Sequence, residues 1–158
     1  MKENKFTMSL ALVDAIPVVF FLIGVIKIFK DLGSIVFLLG GLCSVVAGLG
    51  KVVWKIFLAV KQKDISLFQK QFRILMPAGF VLMLIGFFTV KTSGLVKGLL
   101  YKFFRFPSLL FVLIGICAMI GMTIMAKKMD QRDPSSNWKE QITNIVGQGA
   151  FMIAILLV

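Results

Sequence analysis

The chain of 158 residues has no histidine, two cysteines, four prolines and only seven acidic residues. Without histidine, and with no cluster of cysteines or carboxylates, it has no donor set for transition-metal or haem ligation of the usual kinds. Cys43 and Cys117 form no CxxC pair and have no neighbouring base, so they read as small packing residues in an apolar run. A Gly-rich phosphate loop, a GxSxG elbow and paired carboxylates are also missing, so the sequence predicts no enzyme and no cofactor. Charged residues make up only 16% of the chain, which excludes a disordered polymer.

What is present is apolar. Residues of the set AVILMFWYC make up 59%, 14 glycines come on top, and the mean hydropathy is +0.97. A water-soluble core cannot absorb that share, since a soluble domain carries roughly 45–50% apolar residues with glycine included. A bilayer core about 30 Å thick needs about 20 apolar helical residues. Five runs of that kind occur, at about 8–26, 33–53, 72–90, 106–126 and 141–158. The expected fold is therefore all-α: a single polytopic membrane domain over residues 1–158. The amino-terminal run follows two lysines as a signal peptide would. It is too long for an h-region, contains Asp14 and Pro17, and has no small-residue cleavage site, so it reads as a retained first helix.

Lysine and arginine outnumber aspartate and glutamate by 18 to 7, a formal net charge of +11. Five crossings divide the basic residues into twelve on the amino-terminal side and six on the other. The positive-inside rule then predicts a multi-pass plasma-membrane protein with a cytoplasmic amino terminus and Val158 outside. Basic residues near aromatics, as in Lys102-Phe103-Phe104-Arg105, flank spans and point to lipid rather than nucleic acid. The segment 94–106 puts Leu95, Leu99 and Phe103 on one face and Lys97, Tyr101 and Arg105 on the other, the pattern of a short interfacial helix; 64–73 is a weaker version. Asp133-Pro134-Ser135-Ser136-Asn137 reads as a solvated loop.

An internal repeat is visible. Ser34-Ile-Val-Phe37-Leu-Leu39-Gly-Gly41-Leu-Cys43 aligns with Ser108-Leu-Leu-Phe111-Val-Leu113-Ile-Gly115-Ile-Cys117, with five identities. Ile16-Pro17 likewise resembles Met76-Pro77. The expected unit is a hairpin of spans one and two, repeated in spans three and four, with a fifth helix added.

Polar residues inside spans are costly and by default point to function. Asp14 is the acidic residue set clearly within an apolar run. Gln141, Asn144 and Gln148, spaced by three and four, share a helix face entering from the same side. Lys51 and Thr123 leave their spans on that side. Asp14, Lys51, Thr123, Asn144 and Gln148 are therefore the expected ligand- or ion-binding cluster, near the cytoplasmic surface. A purely structural use of the same residues is an interhelical hydrogen-bond network with Asp14 paired to Lys51. Gly40, Ser44 and Gly48 form a ridge of small residues suited to close helix packing, or to a homo-oligomer or larger membrane partner. Two functions follow: binding or transport of a small molecule or ion through the polar cluster, or a non-catalytic subunit, assembly factor or immunity-type protein docking on a membrane partner through its small-residue faces. A membrane enzyme acting on lipid or isoprenoid substrates is disfavoured for want of a catalytic constellation.

Overall fold

The computed structural model describes residues 8–61, 66–90, 93–129 and 133–158. Among these, every regular element is helical: α1 (Met8–Val13), α2 (Ala15–Leu32), α3 (Ile35–Lys61), α4 (Ser66–Phe88), α5 (Ser93–Phe103), α6 (Ser108–Lys128) and α7 (Pro134–Leu156). Four stretches are long and apolar enough to cross a membrane: Met8–Leu32, which joins α1 to α2, then Ile35–Phe57, Lys70–Phe88 and Ser108–Met125. Their outward faces are rows of exposed isoleucine, leucine, valine and phenylalanine. α7 is not among the four, because much of its first half is polar.

The boundaries follow local chemistry. Pro17 has no N–H, so the carbonyl of Val13 loses its helical donor, and the first helix breaks at Asp14 between α1 and α2. Gly33 ends α2 in the left-handed conformation at φ 66°, and its N–H reaches Phe29 O at 2.7 Å. α7 begins seven residues before the apolar run that announces it. Asp133 is its N-cap, accepting from the Ser136 N–H at 2.9 Å, with Pro134 in the first turn. The segment expected to be a loop is therefore a helix start, and Asn137 within it is buried. The first part of 64–73 lies outside the described residues, whereas 94–106 does contain a helix, α5, with Leu99 buried and Tyr101 and Phe104 exposed.

Adjacent long helices run antiparallel. The tightest pairs are α3 with α4 and α6 with α7, and α2 sits between the two pairs, against α3 on one side and α7 on the other. α4 and α6, the outer arms, make no extended contact with each other. Small residues set the spacing. A Cβ on Gly40 would lie 2.6 Å from the Gly79 carbonyl oxygen, and one on Gly79 would strike Ser44 Oγ, so α3 and α4 touch backbone to backbone. Gly41 accommodates Val25 and Gly48 accommodates Val18, both from α2. The ridge of small residues on α3 is thus used inside the molecule.

The two tight pairs share a contact pattern. Ser34 opens α3 and its hydroxyl donates to Gly86 O near the end of α4 at 2.8 Å; Ser108 opens α6 and donates to Ala154 O near the end of α7 at 3.0 Å. Further down, Ser44 meets Gly79 in one pair and Ala118 meets Gly147 in the other. Ser34 and Ser108 are the first residues of the aligned sequence segments, and Ser44 and Ala118 follow those segments directly.

Candidate functional site

The end of the bundle nearest Met8 gathers the polar side chains. Lys55, one turn beyond Lys51 on α3, is 2% exposed; Asp14, at the α1–α2 break, is 4% exposed. Lys55 Nζ lies 3.0 Å from Asp14 Oδ2, at ion-pair distance but off the line of a hydrogen bond. The same ammonium donates to Asn137 Oδ1 of α7 at 2.9 Å. Lys51 Nζ stands 3.3 Å from Glu140 Oε1, also on α7, and 5.5 Å above the Phe72 ring of α4. Two cations from α3 therefore meet one carboxylate from the α1–α2 junction and one from α7. Buried charges are tolerated only when paired, and these four balance.

Asp14 consequently pairs with Lys55, in place of the Lys51 partner expected for a structural network. α3 runs on to Lys61 and keeps Lys55 inside the bundle, opposite Asp14, while Lys51 turns to Glu140. Lys51, Asp14, Asn144 and Gln148 all line one cavity of about 150 Å³, walled also by Phe21 of α2, Ser44 of α3, Met76 of α4 and Met119 and Met122 of α6. Four of the five predicted site residues are thus brought together. Thr123 is not among them: it is exposed, and its hydroxyl donates to Met119 O of its own helix at 3.0 Å. Facing outward, its side chain satisfies itself on the preceding turn and does not line the cavity.

Sequence reasoning missed Lys55, Asn137 and Glu140 as members of the cluster. The signal was there: Asn137, Glu140, Gln141, Asn144 and Gln148 recur at helical spacing, a polar stripe that begins before the apolar run. Gln141 is fully buried, and its Nε2 and Oε1 have no hydrogen-bond partner among the described residues. Leaving such groups unsatisfied costs roughly 1–3 kcal/mol. Gln148 Nε2 meets a weak acceptor, the Met119 sulfur, at 3.9 Å. Ser44 donates to Gly40 O at 3.1 Å, which leaves its oxygen as an acceptor beside the cavity.

Chemically, the cavity offers amide donors and acceptors, a hydroxyl oxygen and one member of each ion pair, Asp14 and Lys51, against a wall of methionine and phenylalanine. Among the described residues no group of three or more His, Cys, Asp or Glu is placed to hold a metal ion. Comparison with protein-family models, curated proteins and solved structures finds no match.

Proposed function

We propose that this is a small integral membrane protein that binds or transports a small molecule or ion through the polar cavity in the cytoplasmic half of its bundle. The observation that carries the reading is the cavity itself, where side chains from α3, α7 and the α1–α2 junction that are costly in a bilayer converge on an open volume. If these groups served only to hold helices together, packing them against each other would suffice. The small-residue ridges of α3, which suit a docking partner in the alternative reading, are spent on α2 and α4.

In this reading α7 is the fifth crossing. At 23 residues it is about 34 Å long, enough for the hydrocarbon core, and its polar stripe turns toward α3 and Asp14. In this reading the duplicated unit is the helix pair α3–α4, matched by α6–α7, in place of the hairpin of spans one and two expected from the sequence; the serine-to-carbonyl contact and the small-residue contact below it, common to both pairs, support it. Both copies have the same orientation, so the pseudo-symmetry axis runs along the membrane normal, with the cavity between the copies and α1–α2 packed between them, outside the repeat. α5 lies in the interface on the far side. The excess of lysine and arginine flanking the site end puts that end, and the amino terminus, in the cytoplasm of a plasma-membrane protein.

The test is a thermal-shift screen in lipid nanodiscs with a panel of small polar, ionic and amphipathic compounds, run in parallel on the wild type and on Asn144→Val/Gln148→Leu. Binding at the cavity raises the wild-type melting temperature and leaves the double variant unmoved. Compounds that shift both proteins equally, or neither, overturn the proposal.

A further inference from the structure

The cavity has a way in that its charge pattern does not announce. Of the residues that wall it, Met119 alone is exposed, at 41%. Met119 lies six residues before the end of the apolar span Ser108–Met125, about 9 Å along the helix from the site end, and so inside a hydrocarbon core about 30 Å thick. Across from it, Phe72 and Met76 of α4 line the same cavity, and α4 and α6 are not packed together. The opening therefore faces lipid tails, at a depth where water is scarce. Met76, Met119 and Met122 are unbranched and polarizable, and can shift to pass or clasp chains of different shape.

The head group that would fit is set by the charge balance. Lys51 and Lys55 are matched by Glu140 and Asp14. A charged ligand would bring one uncompensated charge into an apolar enclosure, which is costly, whereas an uncharged hydroxyl or carbonyl asks only for hydrogen bonds. Gln148, whose amide otherwise meets only a thioether, Asn144 and the Ser44 oxygen can supply them. A volume of about 150 Å³ resembles that of an apolar cavity able to hold benzene, so it takes a head and a few carbons and not a whole lipid.

We infer that the occupant is an uncharged amphiphile, entering sideways from the bilayer between α4 and α6, with its hydroxyl or carbonyl head at Asn144, Gln148 and Ser44 and its hydrocarbon chain trailing out past Met119. This rests on the reading of the cavity as a binding site in a membrane-crossing bundle, and it narrows that site to one class of ligand and one route.

The experiment uses the full chain in lipid nanodiscs and an eight-carbon alcohol carrying a photoactivatable diazirine on its chain. Labelled residues are mapped by mass spectrometry. The expected result is labelling on the segments around Met76, Met119 and Met122, cut at least fivefold by excess 1-octanol and little by octylammonium or octanoate. Met119→Trp, an exposed position where a larger ring plugs the opening without burdening the core, cuts the same labelling by a similar factor; Met119→Leu retains it. Equal competition by octylammonium or octanoate overturns the uncharged class while leaving a binding cavity in place. Labelling that Met119→Trp leaves intact overturns the lateral route. Cavity segments left unlabelled, or labelled without competition by any of the three, overturn both this inference and the binding reading beneath it.

Discussion

The α3–α4 and α6–α7 pairs are pinned alike at one end and filled differently at the other. Counting down from the serine contacts at Gly86 and Ala154, α4 has Gly79, Met76 and Phe72 where α7 has Gly147, Asn144 and Glu140. The first pair closes on bare backbone, Gly40 against Gly79, and its α4 presents Phe72 and Met76 to the cavity, while α3 adds Ser44 and Lys51. The second has a looser seam, where a Cβ on Gly147 would lie 2.9 Å from the Ala118 methyl, and presents amides to the cavity, with Glu140 beside them on Lys51. The same geometry thus yields one dry wall and one wet wall. The dry wall is α4 and the wet wall is α7, with the serine contacts at Gly86 and Ala154 and the glycines Gly79 and Gly147 in matching places.

The contrast can be broken most forcefully at Lys55, the α3 residue that holds both Asp14 and the wet helix α7. Lys55→Met leaves Asp14 buried without its cation, and removing one partner of a buried pair costs about 3–5 kcal/mol. A large drop in melting temperature in nanodiscs is expected, and Asp14→Leu in the same chain should restore most of it. The seams come next. Gly79→Ala pushes a methyl into Ser44 and the Gly40 carbonyl, and overpacking of this kind costs about 1–3 kcal/mol. Gly147→Ala makes one such clash, with the Ala118 methyl at 2.9 Å, where Gly79→Ala makes three, so its loss in melting temperature should be the smaller; equal losses would mean the two seams are equally tight. Gln141→Met has the opposite sign. Replacing the unsatisfied buried amide by an apolar chain of similar length should raise stability by about 1–2 kcal/mol, read as a higher melting temperature in nanodiscs; no gain would mean that the amide is satisfied in the bilayer.

The smallest effect is expected where α7 begins. The Ser136 N–H and hydroxyl hold the Asp133 carboxyl below its ordinary value. A carboxylate depressed in the folded state contributes above its unfolded pKa of about 4, and that contribution is lost as pH falls through the folded value. Amide exchange in the first turn of α7 should therefore speed up below about pH 4, and Asp133→Ala should remove that pH dependence while leaving the α3–α4 amides unchanged.

The predicted cluster was legible in four of five members because a polar residue within an apolar run stands out by contrast: Asp14, Asn144 and Gln148 sit among valines, isoleucines and glycines. Lys55, Asn137 and Glu140 lie where the apolar runs fade, and there a charge looks like an interface anchor. Only the continuation of α3 to Lys61 and the early start of α7 at Pro134 carry them inside. Hydropathy found the long apolar helices and passed over the first turns of α7, since an Asp-Pro-Ser-Ser run signals a turn and a helix N-terminus equally well. The methionines of the cavity gave no signal, because an apolar residue in a span faces lipid, protein or ligand with the same letter. The serines of the aligned segments were visible, but the helices they bind were not, and those helices decide which two pack as a pair.

The positions of the ion partners along the chain also set an order of assembly. Asp14 leaves the ribosome before Lys55, so when α3 enters the membrane the more deeply buried lysine finds its counter-charge waiting. Lys51 is served by Glu140, 89 residues later, and Lys55 gains Asn137 only after 82. Until α7 is made, Lys51 has no Glu140 to pair with. Synthesis of α7 brings that lysine its partner and, with Asn144 and Gln148, the wet wall, so charge balance and the cavity are completed by the same helix.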